Sequence, residues 1–416
     1  MRKISIFLIF ILLFSFVNQN VFIGSDGMTG LTGMNTVYAD VKVDNLTLTS
    51  KSAILMSADS GEILYEKNSN QKLSPASITK IMLLILLSEK LNSGEIKLTD
   101  ETTITKYAAS MGGSQVFLEE NEVQTVDSLL KAICMRSAND ASVAMSELLY
   151  GSEEACVAQM NEKAIELGME STHFVNVTGL PAENHISTAK DIALMSRELL
   201  KYNYANKYMV TWMDSIMVGK NKDIEQVLVN TNRLINNYDG LLGLKTGYTT
   251  DALYCLSAAA ERKGTKFIAV VLGCPETKVR FAEAAKLLNH GFANYKNLIF
   301  YAKDAPITKV AVECAKEENI NVVSRENISL LTTSNCKIED YSLQYNVNKN
   351  LKAPLDYNTP IGILTISKDG SVVKEVELYP EKKIDKQPFF AFYFKMLKEI
   401  MKWKGNCCCI WSIQLI

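Results

Sequence analysis

The run Leu73-Ser74-Pro75-Ala76-Ser77-Ile78-Thr79-Lys80-Ile81-Met82 marks where strand patterns give way to helical ones, and it holds the densest chemical signal in this chain of 416 residues. Ser74 as N-cap and Pro75 as first helical residue predict a helix start, and the pattern continues into the apolar Ile81 to Leu87. Ser77 and Lys80, three residues apart, share a helix face. A serine hydroxyl is a poor nucleophile until a base removes its proton, and a desolvated lysine is neutral enough near pH 7 to do so. The helix N-terminus adds positive potential near a reacting carbonyl. Ser-x-x-Lys is a cheap pattern, starting at Ser69, Ser77, Ser128, Ser187, Ser334 and Ser371, and only the copy at Ser77 follows such a helix start. Taken alone, that pair reads equally as a catalytic couple or as a polar N-terminal turn.

Outward from this run the pattern is strand, helices, strand. Ala53 to Met56 and Ile63 to Tyr65, joined by Asp59-Ser60-Gly61, predict a hairpin, and helical periodicity occupies Ser74 to about Leu200. Strands return at Leu241 to Thr246, Tyr254 to Ala260 and Phe267 to Leu272, the last two linked by Lys263-Gly264. Strands at both ends of a helical insert imply one α/β sheet closed by distant segments. From Tyr301 to Leu378 short alternating runs such as Lys309 to Val312 and Val372 to Val376, with turns such as Asp369-Gly370, predict a separate small β domain without a catalytic cluster.

Two further polar motifs lie on this frame. Ser137-Ala138-Asn139 falls between the apolar Leu129 to Ile133 and the amphipathic Ala141 to Leu148, which predicts a short turn between helices. Ser137 there suits proton transfer and the Asn139 amide suits a substrate carbonyl, although capping a helix explains either residue alone. Lys245-Thr246-Gly247 ends the predicted strand Leu241 to Leu244, where a cation, a hydroxyl and a residue without Cβ suit a carboxylate-bearing extended substrate at a strand edge; in isolation it is equally a strand end.

Composition narrows the class. Lys plus Arg is 44 against 46 Asp plus Glu, a net charge of -2, which disfavours nucleic acid as a partner. The three histidines and nine cysteines lack the usual zinc spacings. Cys134, Cys156, Cys255 and Cys274 sit among apolar residues and read as small buried hydrophobes. Met1-Arg2-Lys3 followed by Ile4 to Val17 reads as a secretory signal, with Val37-Tyr38-Ala39 as cleavage site, or else as an uncleaved anchor. After Pro388, Phe390, Tyr393, Phe394, Leu397, Ile400 and Met401 fall opposite Lys395, Lys398, Glu399 and Lys402, which predicts an amphipathic helix in a membrane interface or docked on its own protein.

Together the three motifs resemble the active-site signature of penicillin-binding proteins and serine β-lactamases. Longer stretches resemble the low-molecular-mass D-alanyl-D-alanine carboxypeptidases: the opening run, Ser137-Ala138-Asn139-Asp140-Ala141, Thr172-His173-Phe174-Val175-Asn176, Thr178-Gly179-Leu180, His185 to Asp191 and Gly243-Leu244-Lys245-Thr246-Gly247-Tyr248-Thr249. The likeness covers Lys51 to Phe292, continues weakly through the β domain and includes the C-terminal helix. It implies an α/β (α+β) fold of the β-lactamase/transpeptidase type, with a signal peptide at 1–39, a catalytic domain at 40–298, a small all-β domain at 299–385 and an interfacial helix with a cysteine-containing tail at 386–416.

The resemblance further implies the removal of terminal D-alanine from peptidoglycan pentapeptides, in peptidoglycan maturation and cell-shape control, through an acyl-enzyme on Ser77, with Lys80 as base and Ser137 and Asn139 assisting. Lys245, Thr246 and Gly247 would hold the substrate's terminal carboxylate with support from Arg233, and the N–H groups of Ser77 and Tyr248 would form the oxyanion hole. His173 and His185 receive no chemistry. No metal or organic cofactor is implied, β-lactams are expected as covalent inhibitors, and the expected location is the outer face of the bacterial cell membrane. The alternatives are a β-lactamase, for which Glu170 lacks the Glu-x-x-Leu-Asn context, a D,D-endopeptidase, or a catalytically silent peptidoglycan-binding protein. The tail Gly405 to Ile416, with Cys407-Cys408-Cys409, departs from the family pattern.

Overall fold

Thr265–Cys274 is a strand buried along almost its whole length and Leu253–Arg262 one buried through its central six residues, so both faces of the sheet they form must be covered. In the computed structural model, which describes residues 46–317, 319–388, 390, 393, 394 and 397, that requirement is met by two cores. Side chains alternate between them. Ile54, Met56, Cys255, Ile268, Val270 and Leu272 face one core, built largely on the helical insert, and Ala53, Leu55, Leu256, Phe267, Val271 and Cys274 face the other, closed by Phe281, Ala284, Leu287 and Leu288 of the helix Thr277–Asn294.

The sheet has the order Ile63–Lys67, Ser52–Ser57, Thr265–Cys274, Leu253–Arg262, Leu241–Gly243, with Thr246–Thr249 also paired to Leu253–Arg262. All these pairings are antiparallel, and the register Ala53↔Val271 joins the start of the chain's domain to its end. The expected closure of one sheet by distant segments is therefore present, as is the hairpin at Lys263-Gly264, where both residues have positive φ (50° and 75°).

Two local readings change. The helix at Ser77 does not start on a Ser74 cap: Ala76–Thr79 is a 3-10 turn with Pro75 at its N-cap position and no side-chain cap, and the α-helix runs Lys80–Ser93. Ala76 has φ 47°, a left-handed backbone that interrupts a regular start. Similarly, Lys245-Thr246-Gly247 does not end the strand from Leu241. Leu244, at φ 82°, breaks it, and Thr246 begins a new strand.

The insert holds Lys80–Ser93, Val126–Arg136, Asn139–Tyr150, Glu153–Glu166 and Ala189–Leu199, together with two two-stranded ribbons that no alternating pattern announces, Glu101–Thr103 with Val123–Thr125 and Met213–Val218 with Ile224–Val229. Cys134, Cys156, Cys255 and Cys274 are free and buried, as the apolar contexts predict; Cys255 and Cys274 lie in different cores. Toward the C-terminus a five-stranded antiparallel sheet surrounds its own core of Val322, Ile328, Leu364, Ile366 and Leu378, and Asp369-Gly370 makes the predicted hairpin turn. The boundary expected after residue 298 falls inside the strand Tyr295–Tyr301, because the helix Thr277–Asn294 runs straight into it without a linker.

The expected leader with its cleavage site and Cys407 to Cys409 lie outside the described residues. Of the C-terminal helix, Phe390, Tyr393, Phe394 and Leu397 are described and helical; Lys395, Lys398, Glu399, Ile400, Met401 and Lys402 are not. No helix among the described residues is long and apolar enough to cross a membrane.

Candidate active site

The turn Pro75-Ala76-Ser77 is clamped between two glycines. A Cβ on Gly179 would lie 1.9 Å from the Ala76 carbonyl oxygen and 2.9 Å from Ser77 N, and one on Gly247 would lie 3.0 Å from the Pro75 carbonyl oxygen and 3.3 Å from Ser77 N. Gly179 also has φ +80°. The sequence pattern assigns the missing Cβ of Gly247 to a ligand, whereas the structure fills that space with the nucleophile's own turn. Held this way, Ser77 keeps partial exposure while Ala76, Ile78, Thr79 and Lys80 are buried.

Lys80 is fully buried beneath it. Its Nζ lies 3.1 Å from Ser77 Oγ, 2.8 Å from Asn139 Oδ1 and 2.6 Å from the Thr178 carbonyl oxygen. Burial above all, then the charge of Lys245, holds its pKa well below the usual lysine range, against the opposing pull of Asp140. The three oxygens would accept equally from an ammonium, so it is burial that favours the neutral amine. Asn139 Oδ1 and the Thr178 carbonyl can only accept, so they take the two N–H groups, and the lone pair is left for the Ser77 proton.

Ser137 ends the helix Val126–Arg136 in a left-handed conformation (φ 61°), and Ala138 is the N-cap of Asn139–Tyr150, which gives the expected inter-helix turn. Its Oγ is buried without a hydrogen-bond partner. No protein group among the described residues takes up its hydrogen-bonding capacity, which leaves the hydroxyl available to water or to a ligand. Asn139 donates from Nδ2 to the Gly112 carbonyl at 2.7 Å and from its backbone to the Ser114 carbonyl at 2.7 Å. Next to it, the buried Asp140 carboxylate accepts from the amides of Val116 and Leu118, each at 3.1 Å. Sequence reasoning assigns no role to this carboxylate or to the loop it holds, though Gly112-Gly113 and an acid in a first helical turn are visible signals.

Lys245 is almost fully buried, with Nζ 3.5 Å from the Thr246 carbonyl oxygen as its contact. Burial chiefly, with Arg280 adding to it, lowers its pKa to about 8, while Cys134 acts in the opposite direction. Thr246 Oγ1 meets Thr231 Oγ1 at 2.7 Å. Arg233, expected to support this end, is exposed on the 3-10 turn Arg233–Asn236; from that segment it is Thr231, two residues earlier, that reaches Thr246.

A second cation does touch this strand. Arg280 Nη1 donates to the Gly247 carbonyl at 2.9 Å, and its guanidinium lies 5.4 Å from the Tyr254 ring centroid. Tyr254 stacks on Tyr248 at 4.5 Å, leaving the Tyr248 side chain half-exposed and its backbone in the strand beside Ser77. Nothing in the sequence separates Arg280 from the surface cations of its helix.

A part-exposed serine, a buried lysine and an asparagine are thus in direct contact at one turn, and the charge of a second buried lysine, Lys245, is felt there. The family profile described as D-alanyl-D-alanine carboxypeptidase matches residues 39–276, and that of the penicillin-binding protein 5 C-terminal domain matches residues 295–386. The chain belongs to the D-alanyl-D-alanine carboxypeptidase family. It is 41% identical over 363 residues to the D-alanyl-D-alanine carboxypeptidase DacF of Bacillus subtilis, covering 87% of this chain and 93% of that one. With DacC of Escherichia coli it shares 30% identity over 378 residues, covering 88% and 92%. The crystal structure of penicillin binding protein 5 from Haemophilus influenzae superposes with a TM-score of 0.68 at 28% identity, covering 83% of this chain and 100% of that chain. The 3.1 Å contact between Lys80 Nζ and Ser77 Oγ depends on the placement of a turn whose backbone Gly179 approaches without room for a Cβ.

Gly179→Ala is accordingly expected to lower penicillin acylation by about two orders of magnitude or more, since misplacing a reacting group by an ångström has that effect. Stopped-flow acylation of the folded variant measures it, and a rate within about threefold of wild type would show that the turn tolerates displacement.

Proposed function

We propose that this serine-type D-alanyl-D-alanine carboxypeptidase acts on peptidoglycan pentapeptide stems through an acyl-enzyme on Ser77. The observation that carries the assignment is the trio of partners on buried Lys80, which leaves its lone pair to Ser77. Ser77 Oγ attacks the carbonyl carbon between the two D-alanines while its proton passes to Lys80 Nζ. The oxyanion takes hydrogen bonds from the N–H groups of Ser77 and Tyr248, and collapse breaks the C–N bond. The leaving amine takes the proton from Lys80 by way of the unpartnered Ser137 hydroxyl, and D-alanine departs. Water, deprotonated by Lys80, then releases the shortened peptide. Lys245, Thr246 and the Thr231 hydroxyl beside it hold the terminal carboxylate, and Arg280 fixes the strand that carries them. β-Lactams enter the same site and acylate the same serine.

The β-lactamase alternative needs a fast base for the second step. From the segment 172–180 the group facing Lys80 is the Thr178 carbonyl, which takes no proton from water, and Glu170 is exposed on a turn outside it. This favours slow deacylation of β-lactam adducts.

The protein acts, in this proposal, on the outer face of the cell membrane, exported by its N-terminal segment and attached by its C-terminal helix. Phe390, Tyr393 and Phe394 support the attachment: they follow helical spacing and are 74%, 44% and 67% exposed, an aromatic face turned outward as an interfacial helix requires.

Three measurements test this reading. Ser77→Ala abolishes both D-alanine release and covalent penicillin labelling, and Lys80→Ala slows acylation by about two to four orders of magnitude; a label mapped to another serine would overturn the assignment. Because Lys245 is a cation only below about pH 8, kcat/KM for carboxylate-ended peptides should fall as pH rises through that value. C-terminally amidated analogues should show no such limb, and parallel limbs for both substrates would remove Lys245 from carboxylate binding. Truncation after Lys386 should release the mature protein from anionic liposomes in co-sedimentation while sparing activity on soluble peptides. Equal sedimentation of truncated and full-length protein would place the anchor elsewhere.

A further inference from the structure

His185 takes no part in the chemistry above, yet it is buried (3% exposed) and joined to the residue beside the base. Its Nδ1 accepts the backbone N–H of Val175 at 3.1 Å, so the ring proton is on Nε2, which donates to Thr79 Oγ1 at 2.8 Å. The Phe174 ring meets the imidazole edge-on, 5.9 Å between centroids. The charged or titratable groups around it are His173, on the chain segment bridged to Ile186, and Lys80 itself. Burial, followed by those two charges, lowers the pKa of His185 to about 4, so the ring is neutral near pH 7.

We propose that His185 is a positioning residue, which fixes the Thr178 carbonyl against Lys80 and thereby sets the base's orientation and the balance between its neutral and charged forms. The proposal rests on the assignment of Lys80 as base.

The segment from Phe174 to Leu180 hangs on a few side chains. Phe174 N–H donates to Asn161 and Val177 N–H to Glu153, both on the helix Glu153–Glu166, and the amides of Thr178 and Gly179 donate to Asn176 within the segment itself. These bonds shape the segment or attach it to a neighbouring helix. Apart from Lys80's own bond to Thr178, the His185 bridge is, among the described residues, the hydrogen-bonded link between this segment and the turn carrying Ser77. The bridge requires an acceptor on one side and a donor on the other. A protonated imidazole would turn an N–H toward the Val175 N–H and add a positive charge near Lys80, so burial that keeps the ring neutral also keeps the bridge closed.

The test is the acylation rate of the full-length protein by a fluorescent penicillin, followed from about pH 5 to about pH 10. His185→Leu removes both ring bonds, Thr79→Val removes the acceptor of one, and His185→Gln supplies a donor and an acceptor again. The first two should lower the plateau by about tenfold or more, part of what a base contributes. Their acid limbs should also move to lower pH, because a misdirected Thr178 carbonyl no longer favours the Lys80 ammonium. His185→Gln should return both features toward wild type. A purely structural role would leave the limb of folded variants in place; that result, or His185→Gln failing as badly as His185→Leu, overturns the proposal. If His185→Leu does not fold, Thr79→Val and His185→Gln carry the comparison. Lys80→Ala in the same assay separates the two claims: wild-type acylation there removes the base assignment. A silent Lys80→Ala beside normal Thr79→Val and His185→Leu removes only the role of His185.

Discussion

The catalytic domain is arranged around one unfavourable act, the complete burial of an amine. A lysine taken out of water either pairs with a carboxylate or gives up its proton. Among the described residues Lys80 has no carboxylate within hydrogen-bond reach: the acid whose charge it feels, Asp140, is turned to the amides of Val116 and Leu118. The amine is therefore met by oxygens that accept and do not neutralise, one from Asn139 and one from Thr178. Much of the local fold can be understood as holding those two oxygens still. The Gly112–Ser114 loop grips Asn139 on both its amide and its backbone, and Asn176 and Glu153 shape the segment that presents Thr178.

Once the base is fixed, the nucleophile has to meet it at short range, and this explains where the backbone is strained. Ala76 and Ser137 have positive φ without being glycine, one immediately before the nucleophile and the other at the turn that carries Asn139. Such conformations cost on the order of 1 kcal/mol or more each and persist where surrounding packing determines them. Here the packing is specific: the backbone of Gly179 approaches the Ser77 turn too closely for any side chain to intervene, and that of Gly247 packs tightly on its other side. A 3-10 turn rather than a capped α-helix is the result, and its tighter winding places residues three apart directly above one another, which is the relation Ser77 and Lys80 need.

How much of this is legible in the amino acids follows from the kind of signal each feature leaves. The sheet closed by distant strands is legible because its residues are continuous apolar runs, and Asp369-Gly370 because a tight hairpin turn needs left-handed residues. Ser77, Lys80, Ser137, Asn139 and Lys245 are legible as motifs, and the structure brings Ser77, Lys80 and Asn139 into direct contact. Thr178 contributes a backbone carbonyl, and a carbonyl carries no residue identity. Arg280 is one cation among several on an amphipathic helix, and only the tertiary fold turns it toward Gly247. Thr231 leaves no signal of this kind, since a small hydroxyl on an irregular segment is unremarkable until the fold sets it against Thr246; Arg233 from the same segment is exposed, and its charge is felt by Arg280.

Two buried lysines near one another would ordinarily be a fault, since each disfavours the charge of the other. Their environments push them to different degrees. Lys80 is held far down the scale with its N–H groups fully committed, whereas Lys245 is lowered only to about 8 and, beyond the carbonyl of Thr246, has little to donate to. The first has a lone pair and the second retains a proton with nowhere satisfactory to place it. A substrate whose scissile bond lies one residue from a carboxylate supplies what each lacks: a proton from the serine that attacks it for Lys80, and an anion for Lys245. Arrival of that anion holds Lys245 in its cationic form and, as an opposite charge beside it, offsets part of the repulsion that Lys245 exerts on Lys80. In the proposed mechanism carboxylate recognition and proton transfer are thus coupled through a single repulsion: the bound anion eases it, so that Lys80 takes up the Ser77 proton more readily when the carboxylate is in place.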